Sequence, residues 1–260
     1  MQAAVLAVVG VGLWSSCGDP SGSGSNESAG PAWEAARTST EGNSIVLVFT
    51  GGQEYDPSNP CSLDYRADVT ETAESVAVGL IAIRPPTPAD DNASCDSVGH
   101  PRRLEVTLAA PLAGRQLTEQ SSGSARPVFD GSQLLEPTWL PDGWSPRGEG
   151  VAYPLADTSQ AWSRGWGAPG ADPSACVPSF AVVQGTPLAM QELPEVMGGG
   201  PEVGSYDING SIAVHTRNSE RLLDRLVWTS GDIVVAVLAT TCSPEPIDLD
   251  AVLTFARSLA

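Results

Sequence analysis

Apolar and polar residues alternate with a period of two along much of the first half of the chain, a pattern typical of half-buried β-strands. The segment Ser44–Phe49 is continuously apolar and predicts a buried strand, and Ser75–Ile83 predicts a hairpin with the alternating strand that precedes it. The alternating apolar positions are Tyr65, Ala67, Val69, Leu104, Val106 and Leu108. Helical periodicity is absent from this pattern, so we predict a β-rich domain over residues 44–136.

The second half, residues 137–260, continues with strands and ends in one helical pattern. Asn209-Gly210 and Ser230-Gly231 each separate two apolar runs, and such pairs predict β-hairpins. The arm after Gly231 is apolar on both faces, which predicts a central strand. From Asp248, which can cap a helix, apolar residues recur at helical spacing: Leu249, Val252, Leu253, Ala256 and Leu259. We therefore predict a β-rich α+β fold of two small antiparallel-sheet domains, the second closed by a C-terminal helix.

The chain opens with a short apolar run that ends at Ser15, Ser16 and Cys17. A spanning helix needs about 20 apolar residues, so the run suits the apolar region of a signal peptide. A cysteine after small residues resembles the lipobox of bacterial lipoproteins. In that family the cysteine thiol receives a diacylglycerol group. Here Trp14 stands where leucine is usual and no Arg precedes it, so an ordinary secretory signal with a chance cysteine is the alternative.

This resemblance implies a cellular location for the protein and an order of segments for its N-terminal part. Residues 1–16 would be the signal peptide, Cys17 the lipidated residue, and residues 17–43 that cysteine with a flexible linker rich in Gly and Ser. The mature protein would then stand on the outer face of the cytoplasmic membrane, held there by its lipid, within the cell envelope.

The chain has five cysteines, so four remain if Cys17 carries lipid. Four cysteines in an exported chain predict two disulfides, with three connectivities. The spacing favours Cys61–Cys95 and Cys176–Cys242, with one bridge in each half. A zinc site is the weaker interpretation, because no CxxC motif occurs and the two histidines lie far apart in sequence.

Net charge excludes some partners. The formal charge is -18, and all 13 basic side chains are Arg. The absence of Lys, with abundant Ala, Gly, Pro and Val, indicates a GC-rich genome such as an actinobacterium's. Binding to nucleic acid needs a positive surface, so we expect no nucleic-acid partner. The same charge disfavours adsorption to anionic lipid head groups.

Two further resemblances rest on short motifs. Cys95, GHPR, a strand and PLAGR together resemble a recurrent arrangement in exported actinobacterial proteins, which implies no particular activity. The second half resembles a small domain of extracytoplasmic bacterial lipoproteins and regulatory membrane proteins. That resemblance implies an antiparallel sheet with a C-terminal helix, and it implies no catalytic residue. The motifs that carry it are Leu140-Pro141-Asp142-Gly143-Trp144, Asn209-Gly210, Leu226-Val227-Trp228 with Gly231, and Ser258-Leu259.

Few residues suggest catalysis. His215 lies on a predicted strand, with Ser205 and Asp207 on the other arm of its hairpin. A Ser-His-Asp triad needs ordered geometry and an oxyanion hole, and no G-x-S-x-G motif is present. We therefore favour His215 as a half-exposed strand residue. A cleft that gathered His215, or the paired carboxylates Asp207 and Asp224, would instead favour a hydrolase.

Other candidate sites each have a plainer alternative. The loop Ala89–Asp96 gathers three Asp and one Asn but lacks EF-hand spacing, and a solvated acidic loop is favoured. His100 and Gly198–Gly200 suit turns. Of the seven tryptophans, Trp144, Trp162 and Trp166 are candidates to line a ligand groove, and core packing is the alternative. We predict no metal and no cofactor.

These observations favour an exported, lipid-anchored protein of the cell envelope that acts as a non-enzymatic binding or accessory module. Its partners would be the membrane, through the lipid, and an envelope ligand or protein that the sequence does not identify. The alternative is an envelope hydrolase with an unrecognised site.

Overall fold

The structure is a computed structural model that describes residues 26–39, 42–84, 95, 99–126, 128–151, 161–169, 178–190, 200–220, 222–241 and 248–260. It is strand-rich with a C-terminal helix, which confirms the predicted β-rich α+β fold class. No helix of the described residues is both long enough and apolar enough to span a bilayer.

The first half forms two sheets. One has the order β4-β5-β6-β8-β9, with β1 also paired to β6, and the other has the order β10-β2-β3-β7. Three of the pairs are parallel, namely β4 with β5, β6 with β8, and β10 with β2. The strands are β1 (Glu27–Ala29), β2 (Ala35–Thr38), β3 (Ser44–Gly51), β4 (Gln53–Glu54), β5 (Ser62–Glu71), β6 (Ser75–Ile83), β7 (His100–Thr107), β8 (Gln116–Glu119), β9 (Ser124–Ala125) and β10 (Val128–Phe129).

The core of the first half comes from the alternating positions of these strands. Tyr65, Val106 and Leu108 are buried as predicted, and the ring of Tyr65 meets Phe49 edge-on at 4.9 Å between centroids. Trp33 is fully buried among them, and its Nε1 donates a hydrogen bond of 2.9 Å to the Val78 carbonyl. The buried members of this cluster are Trp33, Ala36, Ile45, Leu47, Phe49, Tyr65, Val76, Val78, Leu80, Ala82, Val106, Leu108, Leu112 and Leu117.

The folded part begins before residue 44, which corrects the predicted linker. β1 and β2 lie within residues 17–43 and pair with β6 and β3. All three residues of β1 are exposed, so this strand has no apolar pattern to reveal it. Gly30 follows β1 and approaches the Leu80 backbone closely: a Cβ there would lie 2.8 Å from the Leu80 oxygen. This glycine therefore serves sheet packing and not flexibility.

The second half forms one antiparallel seven-stranded sheet, in the order β11-β12-β13-β17-β16-β15-β14. β17 is the middle strand, as its apolar sequence predicts. The elements are β11 (Ser145–Val151), β12 (Ala161–Gly167), β13 (Ser179–Gly185), α1 (Pro187–Met190), β14 (Glu202–Ile208), β15 (Ser211–Asn218), β16 (Leu223–Ser230), β17 (Ile233–Thr240) and α2 (Leu249–Arg257).

Both predicted hairpins form. Asn209 and Gly210 have φ of 52° and 85°, the positive values that a type I′ turn requires. In the second hairpin Ser230 pairs with Ile233, so the two-residue turn is Gly231-Asp232. This turn lies one residue later than the sequence predicted.

Helix α2 covers one face of the seven-stranded sheet. The Asp248 side chain accepts a hydrogen bond from the Asp250 backbone N–H, as expected of a capping residue. Val252, Leu253, Phe255 and Ala256 are buried. They pack against sheet residues that include Phe180, Leu226 and Val237. Beyond the helix, Leu259 forms a bridge to Pro137, which brings the chain end to the start of the second half.

Candidate functional site

The two halves meet through a small apolar cluster. Its buried members are Ala35 and Val48 from the first half, Phe129 near its end, and Trp162 from β12. The rings of Phe129 and Trp162 lie 6.2 Å apart between centroids. Because Trp162 is only 1 % exposed, its large apolar area contributes to holding the halves together.

A buried ion pair lies beside this cluster. Arg37 donates from Nε to Glu149 Oε2 at 2.7 Å and from Nη2 to Oε1 at 2.9 Å. Trp162 Nε1 also donates to Glu149 Oε2, at 3.1 Å. Burial alone would raise the pKa of the Glu149 carboxyl, but the hydrogen bonds and charge of Arg37, the hydrogen bond from Trp162 and the charge of Arg103 together outweigh burial and keep that pKa below its usual value. Glu149 is therefore an ionised, fully engaged carboxylate.

The connector between the halves, which includes Gln133, Leu135 and Glu136, is fixed to the sheet of the second half. Gln184, which is buried on β13, donates from Nε2 to the Gln133 carbonyl at 3.1 Å and accepts from the Leu135 N–H at 3.2 Å. Arg164 on β12 pairs with the Glu136 carboxylate and with the Leu135 carbonyl. These contacts tie the connector directly to β12, which carries Trp162, and to its neighbour β13.

Two adjoining cavities open at this junction. The smaller, of about 220 Å³, is lined by Pro101, Arg102 and Arg103 on β7 and by Pro146 to Glu149 on β11. The larger, of about 480 Å³, shares several of these residues and is also lined by Glu34, Val48, Phe49, Thr50, Gly150, Ser163 and Gly165. We call the two cavities together the junction groove. Other cavities lie within one half of the chain.

One of the two predicted disulfides lies within the described residues. Cys61 and Cys95, which lie 34 positions apart in sequence, are bonded, which confirms that pairing. Cys17, Cys176 and Cys242 lie outside the part of the chain that the structure describes, so lipidation and the second bridge stay predictions.

The three tryptophans proposed for a ligand groove are largely packed. Trp162 and Trp166 are 1 % and 4 % exposed, and Trp166 meets the Phe255 ring at 5.6 Å between centroids. Trp144 is half-buried and lies 4.7 Å from the Phe180 ring centre. In these positions Trp162 and Trp166 present no open face to a ligand, whereas Trp144 keeps part of its surface exposed.

The strand register separates the residues of the considered triad. Ser205 pairs with Val214 and Asp207 pairs with Ile212, so both side chains project on the opposite face of the sheet from His215. Asp207 instead accepts a hydrogen bond from the Gly210 N–H, which supports the hairpin turn. No Ser-His pair forms here, and Asp207 and Asp224 also lie on opposite faces.

His215 is buried, not half-exposed as the sequence suggested. It is 1 % exposed, and its Nε2 lies 2.8 Å from Asp224 Oδ1. Arg217 Nε donates to the same oxygen at 2.7 Å. The alternation of β15 puts His215 on the face that carries Ala213 and contacts the core, and this burial follows from that parity. Within the described residues, His215 Nδ1 has no hydrogen-bond partner, so no hydroxyl is positioned for activation.

Within the part of the chain that the structure describes, the remaining candidates form no site. No group of three His, Cys, Asp or Glu that could hold a metal ion occurs among the described residues. Apart from Cys95, the loop Ala89–Asp96 lies outside them, as do Gly198 and Gly199. His100 is the first residue of β7 and pairs with Gly51.

Sequence reasoning missed the residues that form the groove. Arg37 and Glu149 are 112 positions apart, and neither belongs to a motif. The segment Arg147–Val151 does contain one signal, because Glu149 stands between two glycines in what the structure shows to be strand β11. A charged residue at such a position is compatible with burial only when it is paired.

Comparison with known proteins assigns no family. No protein-family model matches the chain, and neither a curated protein nor a solved structure shows detectable similarity to it.

Proposed function

We propose that this chain is an exported protein, anchored by lipid at Cys17 on the outer face of the cytoplasmic membrane, that acts as a non-enzymatic binding module of the cell envelope. The observation that carries the proposal is the junction groove, which both halves build and which the Arg37–Glu149 pair holds in place. Concave sites with a few fixed polar groups are where proteins most often bind small molecules.

Export is supported by the disulfide between Cys61 and Cys95. Disulfides persist in oxidising compartments and are rare in the cytosol, where thiols are kept reduced. The apolar run before Cys17 favours the same location. Lipid at that cysteine would keep the groove near the membrane without any spanning helix.

Binding is favoured over catalysis by the chemistry of the groove. A general acid or base works best with a pKa near the operating pH, but the pKa of the Glu149 carboxyl is lowered. The described lining residues of the two cavities include no His and no Cys. The Thr50 hydroxyl donates to the exposed Glu34 carboxylate at 2.7 Å, and the described lining holds no imidazole that could activate it or the Ser163 hydroxyl.

The anchor is tested with the full-length chain and its Cys17→Ala variant, both expressed in a bacterium that processes lipoproteins and labelled with palmitate. We expect label and detergent partitioning for the wild-type chain and neither for the variant. Equal partitioning of the two proteins into detergent would contradict lipidation at Cys17.

The binding site is tested by filling the groove. A Cβ at Gly148 would have no atom within 4 Å, so Gly148→Leu adds a side chain at the groove without displacing the backbone. The matched control is Thr107→Leu, at an exposed position at the end of β7. Native mass spectrometry of protein extracted from envelopes should show a bound component in the wild type and the control, and its loss in Gly148→Leu. Retention of the same component by Gly148→Leu would overturn the assignment.

A further inference from the structure

We infer that the junction groove binds a small organic anion, with a carboxylate or phosphate group held in the smaller cavity between Arg103 and Arg147. This inference rests on the proposed binding function, because it names the ligand class of the same groove. It is carried by the charge, exposure and placement of the residues that line that cavity.

Positive charge gathers at the smaller cavity of an otherwise acidic protein. Three arginines line it, in a chain of 31 acidic and 13 basic side chains. Of its described lining residues, Glu149 carries the one carboxylate. The guanidinium of Arg102 is engaged by the Gly52 carbonyl and the Tyr65 ring. The Glu149 carboxylate faces two positive groups, Arg37 in a bidentate bond and Arg103 at 3.6 Å, and Arg147 adds a third, so positive charge is in excess there. Such a concentration of one sign in a concave site favours an anion.

Arg103 lies close to Glu149 but does not form a hydrogen bond with it. Its Nη1 lies 3.6 Å from Glu149 Oε1, and its side chain is 70 % exposed. That distance exceeds the roughly 2.7–3.2 Å of an N–H···O hydrogen bond. The guanidinium group is therefore attracted toward the cavity wall while its donors stay accessible to a ligand.

Arg147 is held at the opposite wall. Its Nη2 donates to the Ala168 carbonyl at 3.0 Å. The side chain also lies across Gly167, where an added Cβ would overlap it. A guanidinium group has five N–H donors in a planar fork that fits carboxylate and phosphate oxygens. One anchored nitrogen leaves the other donors of Arg147 for a ligand and reduces the entropy lost on binding.

The wall next to Arg103 is rigid as well. Arg102 donates from Nη1 to the Gly52 carbonyl at 2.9 Å and lies over the Tyr65 ring, 5.2 Å from its centre. These contacts fix the start of β7 against Gly52, which follows β3, and against Tyr65 on β5. The position of Arg103 on the same strand is thereby set before any ligand arrives.

The volumes of the two cavities suit a ligand that has an anionic head group and a less polar remainder. The smaller cavity, at about 220 Å³, suits one phosphate or a short carboxylate. The adjoining cavity, at about 480 Å³, is bordered by Val48 and Phe49 and by glycines at positions 148, 150 and 165. Its lining is more apolar, so the remainder of the ligand would lie there.

The test measures binding of two probes, inorganic pyrophosphate and citrate, to the full-length protein in detergent by calorimetry at fixed ionic strength. The variants are Arg103→Gln and Arg147→Gln, with Arg66→Gln as the matched control, since Arg66 pairs with Glu27 in a different sheet. We expect each groove variant to weaken binding about tenfold, the loss of roughly one charge-assisted bond, and the control to match the wild type. The probe bound more tightly distinguishes a phosphate from a carboxylate ligand.

Two results would overturn the inference. One is a probe affinity that is unchanged in Arg103→Gln and Arg147→Gln, or that is lowered equally in these two variants and in the Arg66→Gln control. The other is no binding of either probe while the wild type still retains an envelope component that Gly148→Leu loses. That second result would reject the anion and keep the proposed binding function, whereas loss of both signals would reject both.

Discussion

Two buried carboxylates in this protein have nearly the same surroundings and different consequences. Glu149 and Asp224 are 5 % and 6 % exposed in their side chains. Each accepts a hydrogen bond of 2.7 Å from an arginine Nε and one more from a ring nitrogen. The donors are Arg37 and Trp162 for Glu149, and Arg217 and His215 for Asp224.

The difference lies in what each carboxylate joins. Asp224 binds residues only seven and nine positions away, within the adjacent strands β15 and β16. Glu149 binds Arg37 across 112 positions and borders the junction groove. The Asp224 carboxylate therefore stabilises the pairing of β15 with β16. The Glu149 carboxylate holds the two halves together, and neighbouring arginines remain available for a ligand.

The largest expected effect comes from breaking the pair at the junction. Glu149→Ala leaves Arg37 and the Trp162 N–H without their acceptor, and removing one partner of a buried pair typically costs about 3–5 kcal/mol. We expect a loss near about 3 kcal/mol, because Arg37 retains some solvent access. Urea unfolding followed by tryptophan fluorescence measures it, with the exposed Glu54→Ala as control. A loss as small as that of the control would contradict the structural role.

The second effect is smaller. Asp224→Ala leaves the buried His215 without its partner, but Arg217 is 38 % exposed and regains water. The unmet hydrogen bond of a buried group costs about 1–3 kcal/mol, so we expect about 2 kcal/mol in the same assay. Binding to the groove should not change. A larger loss than for Glu149→Ala, or weakened binding, would remove the distinction between the two sites.

Acidification should reduce the contribution of Glu149 to the free energy of unfolding. The pKa of the Glu149 carboxyl is lowered from 4.5 in the folded protein, so its ionised form contributes stability above that value and loses it as the pH falls through the lowered pKa. The stability difference between wild type and Glu149→Gln should therefore be constant near neutral pH and shrink on acidification. Unfolding at a series of pH values measures it, and a difference that grows on acidification would have the wrong sign.

The smallest expected effect concerns Arg147. Gly167→Ala would place a Cβ where the Arg147 side chain lies, so the guanidinium must move. We expect probe binding to weaken about threefold, less than one full charge-assisted bond, with little loss of stability. The matched control is Gly204→Ala on β14, outside the groove, where the nearest atom to an added Cβ is the Tyr206 hydroxyl oxygen, 3.2 Å away. Equal effects of the two substitutions would show that Arg147 is not positioned by Gly167.

Much of the fold could be predicted because its signals are local. The apolar run Ser75–Ile83 predicted a strand, and Asn209-Gly210 predicted a tight turn, since each pattern is contained in a few neighbouring residues. The strand β1 was missed because all its side chains are exposed. The junction was missed because Arg37 and Glu149 meet only after two separate sheets have formed. Pairing across such distances leaves no periodic trace in a single sequence.

The most direct test of the central claim observes the arginines themselves. The probe that binds more tightly is titrated into the full-length protein. Nuclear magnetic resonance of the Nε–Hε groups then follows each guanidinium separately. We predict that the signals of Arg103 and Arg147 shift and saturate together, while those of Arg66 and Arg217, which are paired elsewhere, stay in place. Equal shifts of all four signals, or shifts that spare Arg103 and Arg147, would contradict the account.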